Sequence, residues 1–417
     1  MSDFHQPGSI TTLHRLREAR PRRLQDELLE LSAERPLALV LPCLARELRE
    51  PGFKRLVDVL SEVHYLSQLV ISVSAPDREA LRAIATAFRD VRTRDGESPL
   101  YVWANGPGMV ELADILHREG LELGGDGKGR AVWLAYGLLL ATRRVRTVAI
   151  HDCDIRDYRP DLLARLVYPV VHPRLGYRFA KGYYARIGDR LYGRVTRLLV
   201  TPLLRALEAV LGPHPLLSFL DAFRYPLAGE CAMDLELVGS TRIPNDWGLE
   251  IATLAEVFRN TSPKDVCQVE LADNYDHRHR DLSPDDPSAG LHRMAIDIAA
   301  SLIRNLASHG VEFDAGFLNT LLVTYRRTAQ DAMDRYRDDA ALNALLFDAH
   351  GEERAVETFS RALRVAGLEF VRDPLGAPPI PNWNRVVSAV PDALAALRQL
   401  VIAEQPEGGC SEALGSL

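Results

Sequence analysis

Two carboxylates one residue apart, Asp152 and Asp154, follow the apolar run Thr147 to Ile150. In an extended chain, residues i and i+2 point to the same side, roughly 6 to 7 Å apart at Cα, so the pair can converge on one ion. Carboxylate oxygens suit Mg²⁺ or Mn²⁺, hard cations whose coordination is commonly completed by substrate phosphates. An ion held there would neutralise the charge growing on a departing nucleoside diphosphate. The same tripeptide also reads as a polar turn, so its company in the sequence has to decide.

That company is rich in anion-binding groups. Lysine occurs only at Lys54, Lys128, Lys181 and Lys264, and Lys128 lies within Gly124-Gly125-Asp126-Gly127-Lys128-Gly129, ahead of a helical pattern. Backbone N–H groups at a helix start, helped by an ammonium, make a phosphate cradle. The spacing is not that of a P-loop. Farther on, Asn274-Tyr275-Asp276-His277-Arg278-His279-Arg280 places two imidazoles and two guanidiniums in a predicted loop after the strand Val266 to Leu271. Imidazole ligates Mn²⁺-class ions, and arginine binds phosphate bidentately. Gly193-Arg194-Val195-Thr196 adds a guanidinium and a hydroxyl before another helix, and Glu250 is an acid in the first turn of one.

The elements that must position these groups follow from periodicity. Runs at Leu37 to Leu41, Leu69 to Val73, Leu100 to Trp103 and Thr147 to Ile150 read as strands, the first ending at Pro42. Helical patterns at Phe53 to Tyr65, Asp77 to Val91, Met109 to Arg118 and Ala131 to Thr142 alternate with them, which predicts a mainly parallel α/β sheet covered on both faces. Ligands of such sheets bind beyond the carboxyl ends of the strands, where Asp152 and Asp154 fall. After about Gly290 the pattern turns helical, over Leu291 to Leu306, Phe317 to Tyr336, Glu353 to Val365 and Val386 to Ala403. The predicted division is a mobile lead-in over 1–36, a donor half over 37–155, an acceptor half over 156–290, a helical C-terminal lobe over 291–405 and a tail over 406–417.

The bulk numbers bound the function. A chain of 417 residues, 47% hydrophobic, can bury a large core, and a net charge of −7 argues against nucleic acid as a partner. Five scattered cysteines without a CxxC pair fit a reducing compartment. The polar N-terminus has no signal-like apolar segment, and no run reaches the roughly 18 apolar residues of a spanning helix, so no membrane partner and a cytoplasmic location are expected. A homodimer is compatible with this pattern. An Asp-x-Asp after a strand also suits a phosphohydrolase, but those enzymes carry that strand first, whereas here three strand-like runs precede it.

Taken in order over Leu37 to Asn305, these motifs resemble those of the glucosyl-3-phosphoglycerate synthases, retaining glycosyltransferases of GT-A fold with a Rossmann-like nucleotide-binding sheet. The family's Pro-x-x-Asn-Glu-Glu survives in Pro42 and Glu47, its Lys-Gly in Lys128-Gly129 and its Asp-Ser-Asp in Asp152-Cys153-Asp154. Gly193-Arg194-Val195-Thr196 matches the acceptor motif, and Pro226 to Glu230 resembles Pro-Leu-Gly-Gly-Glu. Trp247 to Glu250 resembles Tyr-Gly-Val-Glu, and Asp276 to Arg280 matches Glu-His-Arg-Asn-Arg with His279 in place of asparagine. The resemblance implies a metal site of Asp152, Asp154 and His277, with Asp154 and Glu250 catalytic. Pro42, Glu47, Ser74, Lys128, Asp152, Cys153, Glu230 and Arg278 would bind the nucleotide sugar; Gly193, Arg194, Thr196 and His279 would bind a phosphoglycerate-type acceptor. Transfer from UDP-glucose to 3-phosphoglycerate is the implied reaction. Direct use of glycerate, a mannosyl donor and a non-catalytic nucleotide-sugar-binding regulator are the alternatives.

Overall fold

The computed structural model describes residue 6 and residues 8–16, 22–275 and 281–406. Its centre is an eight-stranded sheet made of β1 (Thr11–Leu13), β2 (Leu37–Leu44), β3 (Gln68–Ser74), β4 (Leu100–Trp103), β5 (Thr147–Ile150), β6 (Phe179–Tyr184), β7 (Cys231–Asp234) and β8 (Val266–Ala272). The spatial order is β1-β8-β6-β7-β5-β2-β3-β4. Every pairing is parallel except the two made by β7, which runs antiparallel to β5 and β6. The sheet is apolar on both faces, as a strand covered by helices on each side must be, and one hydrophobic cluster packs on each face.

Pro42 does not end β2, contrary to expectation; the strand continues to Leu44, pairing with β3 throughout. Its neighbour β5 stops opposite Val40, whose carbonyl accepts the last bond on that side, from His151 N–H at 3.2 Å. Pro42 faces the same side two residues on, where no strand remains to ask for its missing N–H. β2 and β3 therefore project past β5 and wall the space above Asp152. β6 and β7 carry no clear sequence signal, since Lys181 and Gly182 interrupt one and the other, Cys-Ala-Met-Asp, holds no β-branched or aromatic residue.

The described part of the N-terminal segment is not a loose lead-in. β1 pairs with β8 from Thr11↔Cys267 to Leu13↔Val269, and helix Arg23–Leu31 packs on helix Pro160–Val171. At the other end, helices Gly290–Ala307, Ala315–Leu342 and Ala349–Arg372 pack together, but the predicted helix over Val386 to Ala403 is two, Trp383–Ala389 and Ala393–Glu404, meeting at 104°. Pro391 explains the break, because it disfavours helical geometry at Val390 and cannot donate to the turn before it.

These last helices return to the β4 edge of the sheet. Trp383 stacks on Trp133 with centroids 4.0 Å apart, and each indole N–H donates to a carbonyl, Trp383 to Trp133 and Trp133 to Pro381. Gln405 then bonds both the N–H and the carbonyl of Tyr101, at 3.1 and 2.7 Å, covering the edge strand β4. Among the described residues no single helix is long and apolar enough to cross a membrane.

Candidate active site

Beyond the carboxyl ends of β2, β3 and β5 lies a cavity of about 830 Å³. Pro42, Glu47, Ser74, Lys128, Asp152, Cys153 and Asp154 line it, with Glu250 beside Lys128, and so do Gly193, Arg194 and Thr196. The fold thus brings eleven of the singled-out residues around one space. His277, Arg278 and His279 lie outside the described residues.

Lys128 opens the helix Lys128–Thr142 rather than preceding it, with Gly127 as its N-cap. Its ammonium sits 2.7 Å from Asp152 Oδ1 and 3.3 Å from Glu250 Oε1. Burial works against that charge, but Asp152 and then Glu250 outweigh it and hold the Lys128 pKa well above the usual lysine value. The lysine therefore joins the end of β5 to the first turn of helix Leu249–Asn260. Gly229 makes this close approach feasible: a Cβ there would meet Asp152 Oδ2 at 2.6 Å and Lys128 Nζ at 3.0 Å.

Glu47 follows β2 in a short 3-10 turn and accepts the Leu44 N–H at 2.9 Å. Burial pushes its pKa up to about 7 against that hydrogen bond, with Asp154 and Asp152 adding to the rise. Contact with the Cys43 thiol, followed by burial, pushes the Cys153 thiol well above its usual range. His151, fully buried and edge-on to Tyr158, is pushed down to about 3 by desolvation, which keeps it neutral.

Glu230 stands differently from its expected place among the nucleotide-sugar contacts. It is buried behind the cavity wall, where Tyr184 and Tyr275 donate to its two oxygens at 2.8 and 2.6 Å, their rings stacked 3.8 Å apart. Burial, then Asp152, raises its pKa, while the phenols favour the carboxylate.

Among the other lining residues, Gly193 has φ +73°, a conformation glycine adopts without steric cost, and the chain then enters a π-helical turn, Val195–Val200. Arg194 is only partly open to the cavity, because its Nε donates to Glu352 Oε1 at 2.8 Å. Arg197 donates to the other oxygen of Glu352 at 2.9 Å and to the carbonyls of Leu191 and Tyr192, while its guanidinium lies over Tyr336. Thr196 stands beside the Tyr225 phenol. Sequence reasoning missed Arg197 and Glu352; the first has a hint in the Gly-Arg-Val-Thr-Arg run, whereas Glu352 is one more acid on an amphipathic helix.

No family model matches the chain. It is, however, 41% identical over 392 residues to the glucosyl-3-phosphoglycerate synthase of Persephonella marina, covering 94% of this chain and 96% of that one. It is 38% identical to the Methanococcoides burtonii synthase of the same name, over 97% and 98% of the two chains. The chain belongs to the glucosyl-3-phosphoglycerate synthase family. Solved structures agree in fold: the Mycobacterium tuberculosis glucosyl-3-phosphoglycerate synthase in complex with Mn²⁺, UDP-glucose and phosphoglyceric acid has a TM-score of 0.53 at 25% identity, covering 74% of this chain and 89% of that one. The same enzyme in complex with Mg²⁺ and UDP has a TM-score of 0.52 at 25% identity, with the same coverage. Membership of the glucosyl-3-phosphoglycerate synthase family removes the phosphohydrolase alternative.

Proposed function

We propose that this protein transfers glucose from UDP-glucose to the hydroxyl of 3-phosphoglycerate with retention of anomeric configuration. One observation carries the reading: a single cavity is lined both by acidic metal-type ligands with a helix-borne lysine and by the Arg194–Thr196 turn. The relatives' ligands, a uridine nucleotide, a divalent ion and phosphoglyceric acid, match those two sets of residues in chemistry.

The donor set fits a divalent ion, since Asp152 and Asp154 offer hard oxygens at a strand end and Gly229 adds no Cβ to crowd the Asp152 carboxylate. Asp152, Asp154 and His277 would hold Mg²⁺ or Mn²⁺, which when bound offsets the charge of the departing diphosphate. Lys128 exchanges its ion pair with Asp152 for a diphosphate oxygen, at a helix start already suited to anions. Pro42, Glu47 and Ser74, at the ends of β2 and β3, frame the nucleoside side. Glu250 orients a sugar or acceptor hydroxyl. Arg194, Thr196 and the N–H groups of their turn hold the acceptor phosphate, with Gly193 setting the turn.

Retention follows from a same-face displacement: the acceptor oxygen bonds to the anomeric carbon as the bond to the diphosphate breaks, and the leaving phosphate oxygen takes the hydroxyl proton. Such a reaction asks the protein mainly for positioning and charge stabilisation. A product assay crossing UDP-glucose and GDP-mannose with 3-phosphoglycerate and glycerate tests the reading. The expected result is one dominant rate, with UDP-glucose and 3-phosphoglycerate, and an α-linked product. Equal kcat/KM for glycerate would overturn the acceptor assignment, and faster transfer of mannose would overturn the donor assignment.

A further inference from the structure

Beside the acidic pair, three groups from two parts of the chain meet. Cys43 lies near the end of β2, Glu47 in the turn that follows, and Cys153 between Asp152 and Asp154; their ligand atoms all lie within 4.8 Å of one another. All three residues line the cavity, although both cysteines are almost fully buried. We propose that Cys43, Glu47 and Cys153 form a site for a thiophilic divalent ion such as Zn²⁺, separate from the Asp152/Asp154 site, whose occupation arrests transfer.

Sulfur chemistry carries the assignment. Thiolates select Zn²⁺ and its heavier relatives over Mg²⁺ and Mn²⁺, which prefer oxygen. In a tetrahedral zinc site with Zn–S near 2.3 Å, two sulfurs stand about 3.8 Å apart, so the observed cluster needs at most about 1 Å of tightening. The carboxylate supplies a third ligand, and a water from the cavity can complete four. Two S–H protons pass to solvent as the two Zn–S bonds form, and no oxidant or reductant enters. A disulfide between the same residues would instead require the sulfurs to close to about 2.05 Å and an oxidant to accept two electrons.

The inhibitory consequence comes from connectivity. Cys153 is the residue linking Asp152 to Asp154, so a bond from its sulfur fixes the backbone between the two carboxylates. Glu47, on the nucleoside side, would be engaged as well. Zn²⁺ should therefore act against the Mg²⁺-supported reaction rather than replace Mg²⁺ in it.

Binding can be read without any turnover. The full chain, reduced, stripped with EDTA and carrying Cys410→Ser to remove the tail thiol, is titrated with Cd²⁺ in the ultraviolet and with Zn²⁺ against a chromophoric chelator. The thiolate-to-cadmium band should saturate at one equivalent with the intensity of two sulfurs, whatever further ion the oxygen ligands of Asp152 and Asp154 take up without such a band; Cys43→Ser and Cys153→Ser should each abolish that two-sulfur band. Glu47→Gln should weaken Zn²⁺ binding by about tenfold or more, since loss even of an outer-shell partner commonly costs that much. Circular dichroism confirms that each variant is folded, and Cys43→Ala provides a second test of the same position. Absence of the band in the parent protein, its persistence in both serine variants, or disappearance of both thiols into a disulfide would overturn the site. In the transfer assay with excess Mg²⁺, stoichiometric Zn²⁺ should inhibit the parent at least about tenfold and leave the residual rate of Cys43→Ser unmoved; full parent activity with Zn²⁺ bound would overturn the inhibitory role alone. Because the titration needs no substrate, its outcome is independent of the transferase reading.

Discussion

Arg194 and Glu352 are 158 residues apart in sequence and 2.8 Å apart in the structure. Glu352 is buried at 5% exposure on helix Ala349–Arg372 and shares its second oxygen with Arg197. The helical region at the C-terminus thus orients the Arg194 guanidinium at the cavity. The adjoining loop adds a second tie, from Leu346 N–H to the Asp189 carbonyl at 2.8 Å.

If Arg194 binds the acceptor phosphate, Glu352→Gln should raise the 3-phosphoglycerate KM about tenfold with little change in kcat, since charge-assisted bonds of roughly 1.5 to 3 kcal/mol depend on that orientation. Glycerate kinetics should not move. Combining it with Arg194→Ala should add nothing to the acceptor KM beyond Arg194→Ala alone, which a double-mutant cycle reads directly. An equal fall in kcat for both acceptors would mean that Glu352 only supports the fold.

Asp154→Ala should remove divalent-dependent transfer by more than about 100-fold, because a misplaced catalytic ion forfeits several kcal/mol of transition-state stabilisation. The urea midpoint should stay near that of the parent, because Asp154 lies beyond the strand end. Full activity of the purified variant in EDTA would sink the metal assignment.

Lys128 pairs its single charge with both Asp152 and Glu250, and this gives its removal two opposite effects. Lys128→Met should tighten Mn²⁺ binding to the free protein, since a competing cation has gone, yet raise the KM for the nucleotide sugar. Calorimetric titration of Mn²⁺ and donor-dependent initial rates read the two separately. Weaker Mn²⁺ binding in the variant would show that Lys128 holds the Asp152 loop in shape instead.

Gly229→Ala tests the same junction sterically. Its Cβ would press on Asp152 Oδ2 and Lys128 Nζ, both side-chain ends that can yield. Overpacking of this kind typically costs about 1 to 3 kcal/mol, so the melting temperature should fall modestly while transfer falls at least about tenfold. Unchanged turnover with a lowered melting temperature would detach the Lys128–Asp152 contact from function.

His151 supplies a pH dependence with a definite sign. Burial lowers its folded pKa to about 3, so between that value and its unfolded value the unfolded chain binds a proton that the folded chain refuses. Its contribution is therefore complete above the unfolded value, near 6.5, and is lost as pH falls toward 3. Urea unfolding at several pH values between 7 and 5 should show the parent losing up to roughly 1.4 kcal/mol per pH unit more than His151→Leu in the acidic part of that range. Parallel pH profiles would show that the ring takes up its proton inside the fold.

The alternation of apolar strands and amphipathic helices is written in neighbouring residues, so the sequence by itself determined the parallel sheet and the carboxyl-terminal placement of Asp152 and Asp154. It also located Lys128 at a helix start and Arg194 at a turn, because glycines and caps act within a few residues. Pro42 misled because its cost depends on whether a strand stands beside it, and β5 stops two residues short. Only the tertiary structure decided that Lys128 pairs with Asp152 and Glu250, that Glu230 is shut behind two tyrosines, and that Cys43 meets Cys153. It alone brought Glu352 to Arg194. Each of these contacts joins elements from distant parts of the chain, and which of many similar acids or thiols meets its partner is fixed by strand order, register and close packing.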